Sequence, residues 1–210
     1  MKNNGKIFEK DIENSFDKSI YVLRMNDSGS SFSGGSGSRF TPESPYDYIV
    51  YNQNNREMLC LELKSTNQSS ISMVKKDTFL KYLFYCRKKD KENIKIYKKQ
   101  LNQKSIKFHQ IMNLYKAYSK GCSSYFIFNF ENRETYALHI IDFLHFWNNT
   151  NKSSININDI VRHNGIIISK TNKNKSKIHY IYDVSVLFNN KRKDVLFWQK
   201  LLIAKDMYKN

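Results

Sequence analysis

The chain has 210 residues, 40% of them hydrophobic, which is enough for one compact domain with its own core over residues 1–210. With 14 Tyr and 14 Phe, the chain is too rich in core-forming side chains for a disordered protein. No run approaches the roughly 20 consecutive apolar residues of a membrane helix, and residues 1–10 are polar where a secretory signal needs an apolar stretch. We therefore expect a soluble, cytoplasmic protein with no membrane partner.

The formal net charge is +16 at pH 7. Attraction to phosphate is the commonest reason for such an excess, so nucleic acid is the expected partner. A compositional bias toward Lys and Asn is the alternative interpretation. The cysteines are odd in number and lack the paired C-x-x-C spacing of zinc sites, which predicts reduced thiols. They are Cys60, Cys86 and Cys122.

The first predicted element is an amphipathic helix over residues 6–20, whose apolar side chains recur every four residues with Glu9 beside them. Residues 26–44 form a Gly/Ser-rich stretch that has little to bury, and we expect a mobile loop there. Two strands are predicted next, at 46–51 and 58–63, with a turn at Asn54-Asn55. A two-residue turn at that place pairs residues whose numbers sum to 109.

This predicted hairpin brings charged side chains together. Glu62 and Lys64 share one face of the second strand, and the register sets Asp47 opposite Glu62. Opposed carboxylates destabilise a sheet, so this arrangement requires a compensating cation, and Mg²⁺ prefers such oxygen ligands. A bound divalent ion makes water a usable nucleophile against a phosphodiester, and Lys64 can orient that water or offset developing charge. The pattern therefore indicates a metal-dependent nuclease.

A surface hairpin with solvated charges is the alternative interpretation of this pattern. Against it, Glu62 lies within an otherwise apolar strand, where an acid is costly unless it has a partner.

Residues 67–105 are predicted to be a basic helical insertion. Residues 71–105 carry eleven basic and three acidic side chains, a net charge of +8. We expect this segment to contact DNA. The predicted contacts are Lys75, Lys76, Arg87, Lys88 and Lys89, together with Arg24.

The remaining pattern predicts an α/β fold with a mixed sheet flanked by helices. The expected elements are a helix at 105–119, a strand at 125–130 that forms a hairpin with 136–140, a helix at 142–147, strands at 165–169 and 178–184 joined by a Lys/Asn-rich turn, and a helix at 195–208.

Seven short motifs follow one another along the chain. They are Asn3 to Glu9, Tyr46 to Tyr48, Leu61 to Thr66, His109 to Ile111, Gly121 with Tyr125 to Ile127, Tyr136 to Leu138 with Phe143 to Trp147, and Ile178 to Ile181. Taken in this order, they resemble the motifs of RecU-type Holliday junction resolvases, which are PD-(D/E)XK nucleases. The family motifs are N-x-G-x-x-[FL]-E, the strand with the first metal ligand, E-x-K-x-T, H-Q-I, G-I-x-F, Y-x-L with L-x-x-F-W, and I-D-Y-I.

The resemblance implies a restriction-endonuclease-like core and a homodimer that uses Mg²⁺ or Mn²⁺ to nick four-way DNA junctions symmetrically, in recombination and repair. Carried over to this sequence, Asp47 and Glu62 ligate metal, Glu9 completes the ligand set, Lys64 acts on the water and Gln110 supports the site. The adjacent His109 is interpreted as a packing or solvent-facing side chain.

The chain departs from this family between the first helix and Asp47. The family carries a β-ribbon stalk there that enters the junction, whereas this chain has the Gly/Ser stretch, and Pro45 stands where the family has Thr. The basic segment 67–105 is longer than the family's connection and is expected to supply DNA contacts instead.

Two other functions stay open at this point. The first is a PD-(D/E)XK nuclease with another DNA target, of the restriction or phage type. The second is a basic DNA-binding protein that does not cleave DNA. An apolar stripe in the basic segment either forms a dimer contact or packs on the chain's own core. The stripe consists of Phe79, Tyr82, Leu83, Tyr85 and Cys86.

Overall fold

The computed structural model describes residues 4–25, 44–131, 133–172 and 179–188. The helices are α1 (Asn4–Glu13), α2 (Lys76–Arg87), α3 (Lys91–Asn102), α4 (Phe108–Ser119), α5 (Ile140–Asn149), α6 (Ile157–Arg162) and a short 3-10 helix (Val184–Leu187). The strands are β1 (Tyr21–Arg24), β2 (Tyr48–Asn52), β3 (Glu57–Thr66), β4 (Ser70–Ser72), β5 (Ser123–Phe130), β6 (Thr135–His139), β7 (Ser154–Asn156), β8 (Ile166–Ile168), β9 (Lys170–Asn172) and β10 (Tyr180–Tyr182).

Six strands form a central mixed sheet in the order β1-β2-β3-β5-β6-β8. β3 and β5 are parallel, and the other neighbours are antiparallel. The parallel pair needs a long crossover, which α2, α3 and α4 provide. This architecture confirms the predicted α/β class with helices around a mixed sheet.

The two faces of the sheet bury different sides of β3. Leu59 and Leu61 pack with Phe8 and Ile12 of α1, whereas Cys60 lies in the cluster formed with α4 and α5. The cause is the two-residue period of a strand, which sends alternate side chains to opposite faces. Glu62 follows Cys60 on that period and therefore faces α4. The three cysteines are free thiols.

The predicted first helix is too long. α1 ends at Glu13, and the chain turns at Asp17, whose side chain accepts from the Ser19 amide at 2.8 Å while its carbonyl accepts from the Ile20 amide at 2.9 Å. Asp favours such local turns over a continuing helix. Phe16 still packs on the same core, and β1, which the pattern did not predict, begins at Tyr21.

The basic segment contains two helices and a strand. β4 pairs with β7 at its beginning, where a helix was predicted. α2 and α3 pack against each other as a helical hairpin, which we call the basic hairpin (residues 76–102). Lys89 separates the helices with a φ of 56°, and the Asp90 side chain caps α3 by accepting from the Asn93 amide at 3.1 Å. The helical character of 76–102 is therefore confirmed.

The β5–β6 hairpin is confirmed, with Phe128 opposite Tyr136. The strands predicted at 165–169 and 178–184 are present as β8 and β10, but they do not pair, because β8 joins the central sheet beside β6 and β10 pairs with β9. Most of the predicted loop, residues 26–43, and the predicted helix 195–208 lie outside the described residues. Within the described part of the chain, no helix has both the length and the apolar composition of a membrane span.

Candidate active site

The β2–β3 hairpin has the predicted register. Its pairs run from Tyr48 with Leu61 to Asn52 with Glu57, and each pair sums to 109. Asp47 departs from that register, because its amide donates to the Leu61 carbonyl at 3.0 Å. Asp47 and Tyr48 thus both lie opposite Leu61, which is the arrangement of a β-bulge.

The bulge redirects the Asp47 carboxylate. Instead of facing Glu62 across a regular pair, its Oδ2 accepts a hydrogen bond from the Leu63 amide at 2.6 Å. The Asp47 carbonyl accepts from the Met25 amide at 2.8 Å, so the residue is held from β1 and from β3. Asp47 is therefore fixed to the backbone segment that carries Glu62 and Lys64.

Glu62 is the buried acid of the site, with 2% of its surface exposed. Its Oε1 accepts from Lys64 Nζ at 2.7 Å and from Gln110 Nε2. The pKa of Glu62 is raised to about 7, chiefly by burial and also by the Asp47 charge, while the charges of Lys64 and Lys107 act in the opposite direction. A positive charge near Glu62 and Asp47 therefore stabilises the ionised pair.

Lys64 lies at the boundary between this buried acid and solvent. Its side chain is 15% exposed, and its ammonium group contacts the Glu62 carboxylate from the same strand face, as the two-residue spacing predicted. A cation in this position can reach a group that approaches from solvent while it remains paired with the buried acid.

Gln110 belongs to the same cluster although it is 48 residues from Glu62. It lies in the first turn of α4, where its Oε1 accepts from the Lys107 backbone amide at 3.0 Å. Because the oxygen is used at the helix start, the amide nitrogen is directed to Glu62. The structure thus places Gln110 beside the predicted acid, while the adjacent His109 is half-buried.

Glu9 and Arg24 contact each other. Arg24 donates to Glu9 Oε2, which joins β1 to α1, and Tyr48 Oη donates to the Glu9 carbonyl at 3.2 Å. In the described part of the chain, no three His, Cys, Asp or Glu side chains converge closely enough to hold a metal. The roles of Asp47 and Glu62 as metal ligands, and that of Glu9 as a third ligand, stay predictions.

Sequence reasoning missed a polar network beside the site. The Glu131 carboxylate accepts from Asn4 Nδ2 at 2.7 Å and from Ser65 Oγ at 3.3 Å, and Asn129 Nδ2 donates to Ser65 Oγ at 3.1 Å. These bonds tie the start of α1 to the ends of β3 and β5. The available signal was Asn129, a polar residue within an apolar strand, which is costly without a partner.

The predicted DNA contacts fall in separate places. Arg87, Lys88 and Lys89 are exposed at the end of α2, and Lys75 is exposed before it. Lys76 is held at the base of the basic hairpin, where its Nζ donates to the Asn148 carbonyl at 3.1 Å. Arg24 lies on β1, at the edge of the sheet, and is joined to Glu9.

The apolar stripe of the basic segment contributes to the chain's own core. Phe79 and Tyr82 pack against the cluster on the α4 and α5 side of the sheet. The interpretation that this stripe packs on its own domain is therefore the correct one for these two residues.

Comparison with solved structures finds matches, one of which is a distant likeness. The fold is similar to that of Hjc, a Holliday junction resolvase from the archaeal hyperthermophile Archaeoglobus fulgidus, at a TM-score of 0.35 and 12% sequence identity, over 67% of this chain and 78% of that one. No protein-family model and no curated protein sequence matches the chain.

Proposed function

We propose that the chain is a metal-dependent DNA endonuclease of the PD-(D/E)XK type. The observation that carries the proposal is the cluster around Glu62, a carboxylate 2% exposed whose Oε1 lies 2.7 Å from Lys64 Nζ, with Asp47 anchored to the same strand. Burying a carboxylate costs desolvation free energy, and acids buried in this way are frequent at functional sites. The same triad is what the resemblance to RecU-type resolvases implies.

The residues present fit a hard divalent cation. Asp47 and Glu62 supply carboxylate oxygens, which Mg²⁺ and Mn²⁺ prefer, and a site with two carboxylates leaves room for the waters that Mg²⁺ keeps. Burial raises the pKa of Glu62 and the Asp47 charge raises it as well, so a bound cation would favour the ionised form of this acid. When bound, such an ion supplies an activated water and neutralises charge on a phosphodiester.

The other residues orient this pair. The Leu63 amide holds Asp47 Oδ2 at 2.6 Å, and Gln110 holds Glu62 Oε1, so both carboxylates are fixed before substrate arrives. Lys64 is placed to offset negative charge that develops on phosphate oxygens. It can also take or hold a proton at its Nζ atom.

DNA is the proposed substrate because of the charge. The basic hairpin carries nine basic and three acidic side chains, a net charge of +6, within a chain of +16. Phosphate contacts are independent of sequence and supply most non-specific DNA affinity. This charge supports nucleic acid as the partner and leaves the shape of the DNA to be tested.

Branched DNA and a homodimer are the finer parts of the proposal. They rest on the resemblance to RecU-type resolvases, since symmetric nicking of a four-way junction requires two sites related by a two-fold axis. Sedimentation with and without junction DNA tests the dimer. A chain that stays monomeric with junction bound contradicts coordinated resolution and favours a nuclease with another DNA target.

Cleavage assays test the nuclease itself. Four-way junction, flap and linear duplex DNA are incubated with the full chain in Mg²⁺, in Mn²⁺ and in chelator. We expect cleavage only with the metal, and its loss in Glu62→Gln. The matched control is Glu57→Gln, which makes the same change in an acid that is also buried on β3 but pairs with Ser123.

Equal cleavage by the two variants contradicts the assigned site. The absence of cleavage in every metal, with DNA binding intact, favours the non-catalytic DNA-binding alternative. Cleavage of linear duplex as fast as junction favours a nuclease with another DNA target.

A further inference from the structure

Helix α2 has an apolar face that does not pack on the domain. Phe79 packs on the core, whereas Leu80 is 44% and Phe84 is 50% exposed. Phe79 and Phe84 are five residues apart, which separates them by about 140° around a helix of 3.6 residues per turn. Leu80 and Phe84, one turn apart, therefore share the side that points away from Phe79.

A cation lies over this exposed ring, which also contacts the Tyr85 ring edge-to-face. Lys88 Nζ lies 4.4 Å from the centre of the Phe84 ring, and Arg87 follows Phe84 on the same side of the helix. A positively charged surface that only tracks phosphates has no use for an exposed aromatic ring. The combination of a half-exposed aromatic ring with neighbouring cations is typical of surfaces that stack on unpaired bases while they hold the backbone.

The basic hairpin is attached to the helix that supports the candidate active site. The Phe79 ring stacks on the Phe108 ring at 3.9 Å between centroids and an interplanar angle of 22°. Phe108 is the first residue of α4, two residues before Gln110, which donates to Glu62. A DNA strand bound on the outer face of α2 is therefore bound by an element that packs against the first turn of α4.

We propose that Phe84, with Leu80, Arg87 and Lys88, forms a binding surface for unpaired nucleotides of a DNA substrate. This proposal deepens the proposed nuclease function and rests on it for the identity of the substrate. It makes the basic hairpin the element that distinguishes DNA with single-stranded segments, such as a fork or a flap, from linear duplex. A bare duplex offers its phosphates to the cations but no base face to the ring.

Binding measurements with the full chain in Ca²⁺, a condition chosen to prevent turnover, test this surface. The probes are a forked duplex with oligothymidine arms and the same duplex without arms, and affinity is read by fluorescence anisotropy. Phe84→Ala should weaken binding of the fork by about 5- to 150-fold, the range expected from base–aromatic stacking, and binding of the duplex by less than about twofold. Phe84→Trp should restore binding of the fork.

Ile96→Ala is the matched control, because Ile96 is 46% exposed on the other helix of the same hairpin but has no ring. Equal losses in Phe84→Ala and Ile96→Ala, or equal losses on fork and duplex, would overturn the stacking proposal. So would unchanged DNA binding with a changed oligomeric state, which would make the face a contact between copies of the chain.

The two proposals fail separately. If discrimination between fork and duplex depends on Phe84 but the chain cleaves no DNA, the binding surface is supported and the nuclease proposal is refuted. Metal-dependent cleavage with fork binding indifferent to Phe84 refutes the surface alone. Failure to bind either probe refutes both the surface and the proposed DNA substrate. Circular dichroism checks that each variant is folded, which the exposure of Phe84 favours.

Discussion

The β2–β3 hairpin and the basic hairpin both carry charge, but they hold it in opposite environments. Glu62 is buried, its charge is balanced by Lys64, and its Oε1 accepts a hydrogen bond from Gln110. On the basic hairpin, Arg87, Lys88 and Lys89 are exposed, where solvent and salt screen them. A buried charge can take part in catalysis, whereas positive charge on a solvated surface mainly attracts a polyanion such as DNA. We therefore expect cleavage and binding to be separable by mutation.

Apart from the two carboxylates, the largest expected effect comes from Lys64. Lys64→Ala should lower the rate of cleavage by about 10²- to 10⁴-fold, the range for a group that transfers protons or offsets charge in the transition state. DNA affinity in Ca²⁺ should change little, because the basic hairpin is intact. Single-turnover cleavage and anisotropy on the same DNA measure the two quantities.

A fall in DNA affinity as large as the fall in rate would remove the distinction between the two regions. Lys64→Arg is the companion variant, since it keeps the positive charge but differs in shape and proton affinity. Partial rescue by Arg would indicate that charge, rather than proton transfer, is the main contribution of Lys64.

Gln110 should give a smaller effect of the same kind. Gln110→Leu removes the amide that donates to Glu62 while it retains a similar volume, and losses from such outer partners of a metal site are about 10- to 100-fold. The Mg²⁺ concentration for half-maximal cleavage should rise, because Glu62 is less well oriented. Titration of the cleavage rate with Mg²⁺ measures this shift.

His109→Leu provides the comparison on the neighbouring residue of the same helix turn. An equal effect of both substitutions would mean that the start of α4 matters through its packing and not through the Gln110 amide.

The smallest effect on the rate, and the clearest effect on salt dependence, is expected at the end of α2. Changing Arg87, Lys88 and Lys89 together to Gln should flatten the log–log dependence of DNA affinity on salt by up to about 2.7, since each lost phosphate contact removes about 0.9. The single-turnover rate at saturating protein should stay close to that of the unchanged chain.

Three exposed basic residues elsewhere serve as the control, namely Lys116, Lys120 and Arg162. Their replacement removes the same net charge from outside the basic hairpin. If both triple variants flatten the slope equally, the DNA is attracted by the overall charge of the chain and not by this surface.

The sequence by itself determined the features that depend on neighbours along the chain. The alternation Met58 to Lys64 set which side chains share a face of β3, because the strand period is local. The turn residues set the register of β2 and β3, which the structure confirms from Tyr48 to Asn52. The mixed α/β class followed from the order of elements, and the helical character of residues 76–102 followed from their pattern.

Local patterns failed where two structures compete over a few residues. The end of α1 at Glu13 depends on the turn at Asp17, and β4 became a strand because β7 pairs with it. The bulge at Asp47 was also not predicted, because strict alternation of side chains along a strand does not anticipate an extra residue opposite Leu61.

Only the tertiary structure decided which distant residues meet. The Gln110 amide reaches Glu62, Phe79 stacks on Phe108, and Arg24 pairs with Glu9 because the crossover and the sheet bring separate elements together. Such contacts depend on the packing of whole elements, which no spacing along the chain encodes. The exposure of Phe84 likewise depends on tertiary packing, because α2 packs against the core through its opposite face.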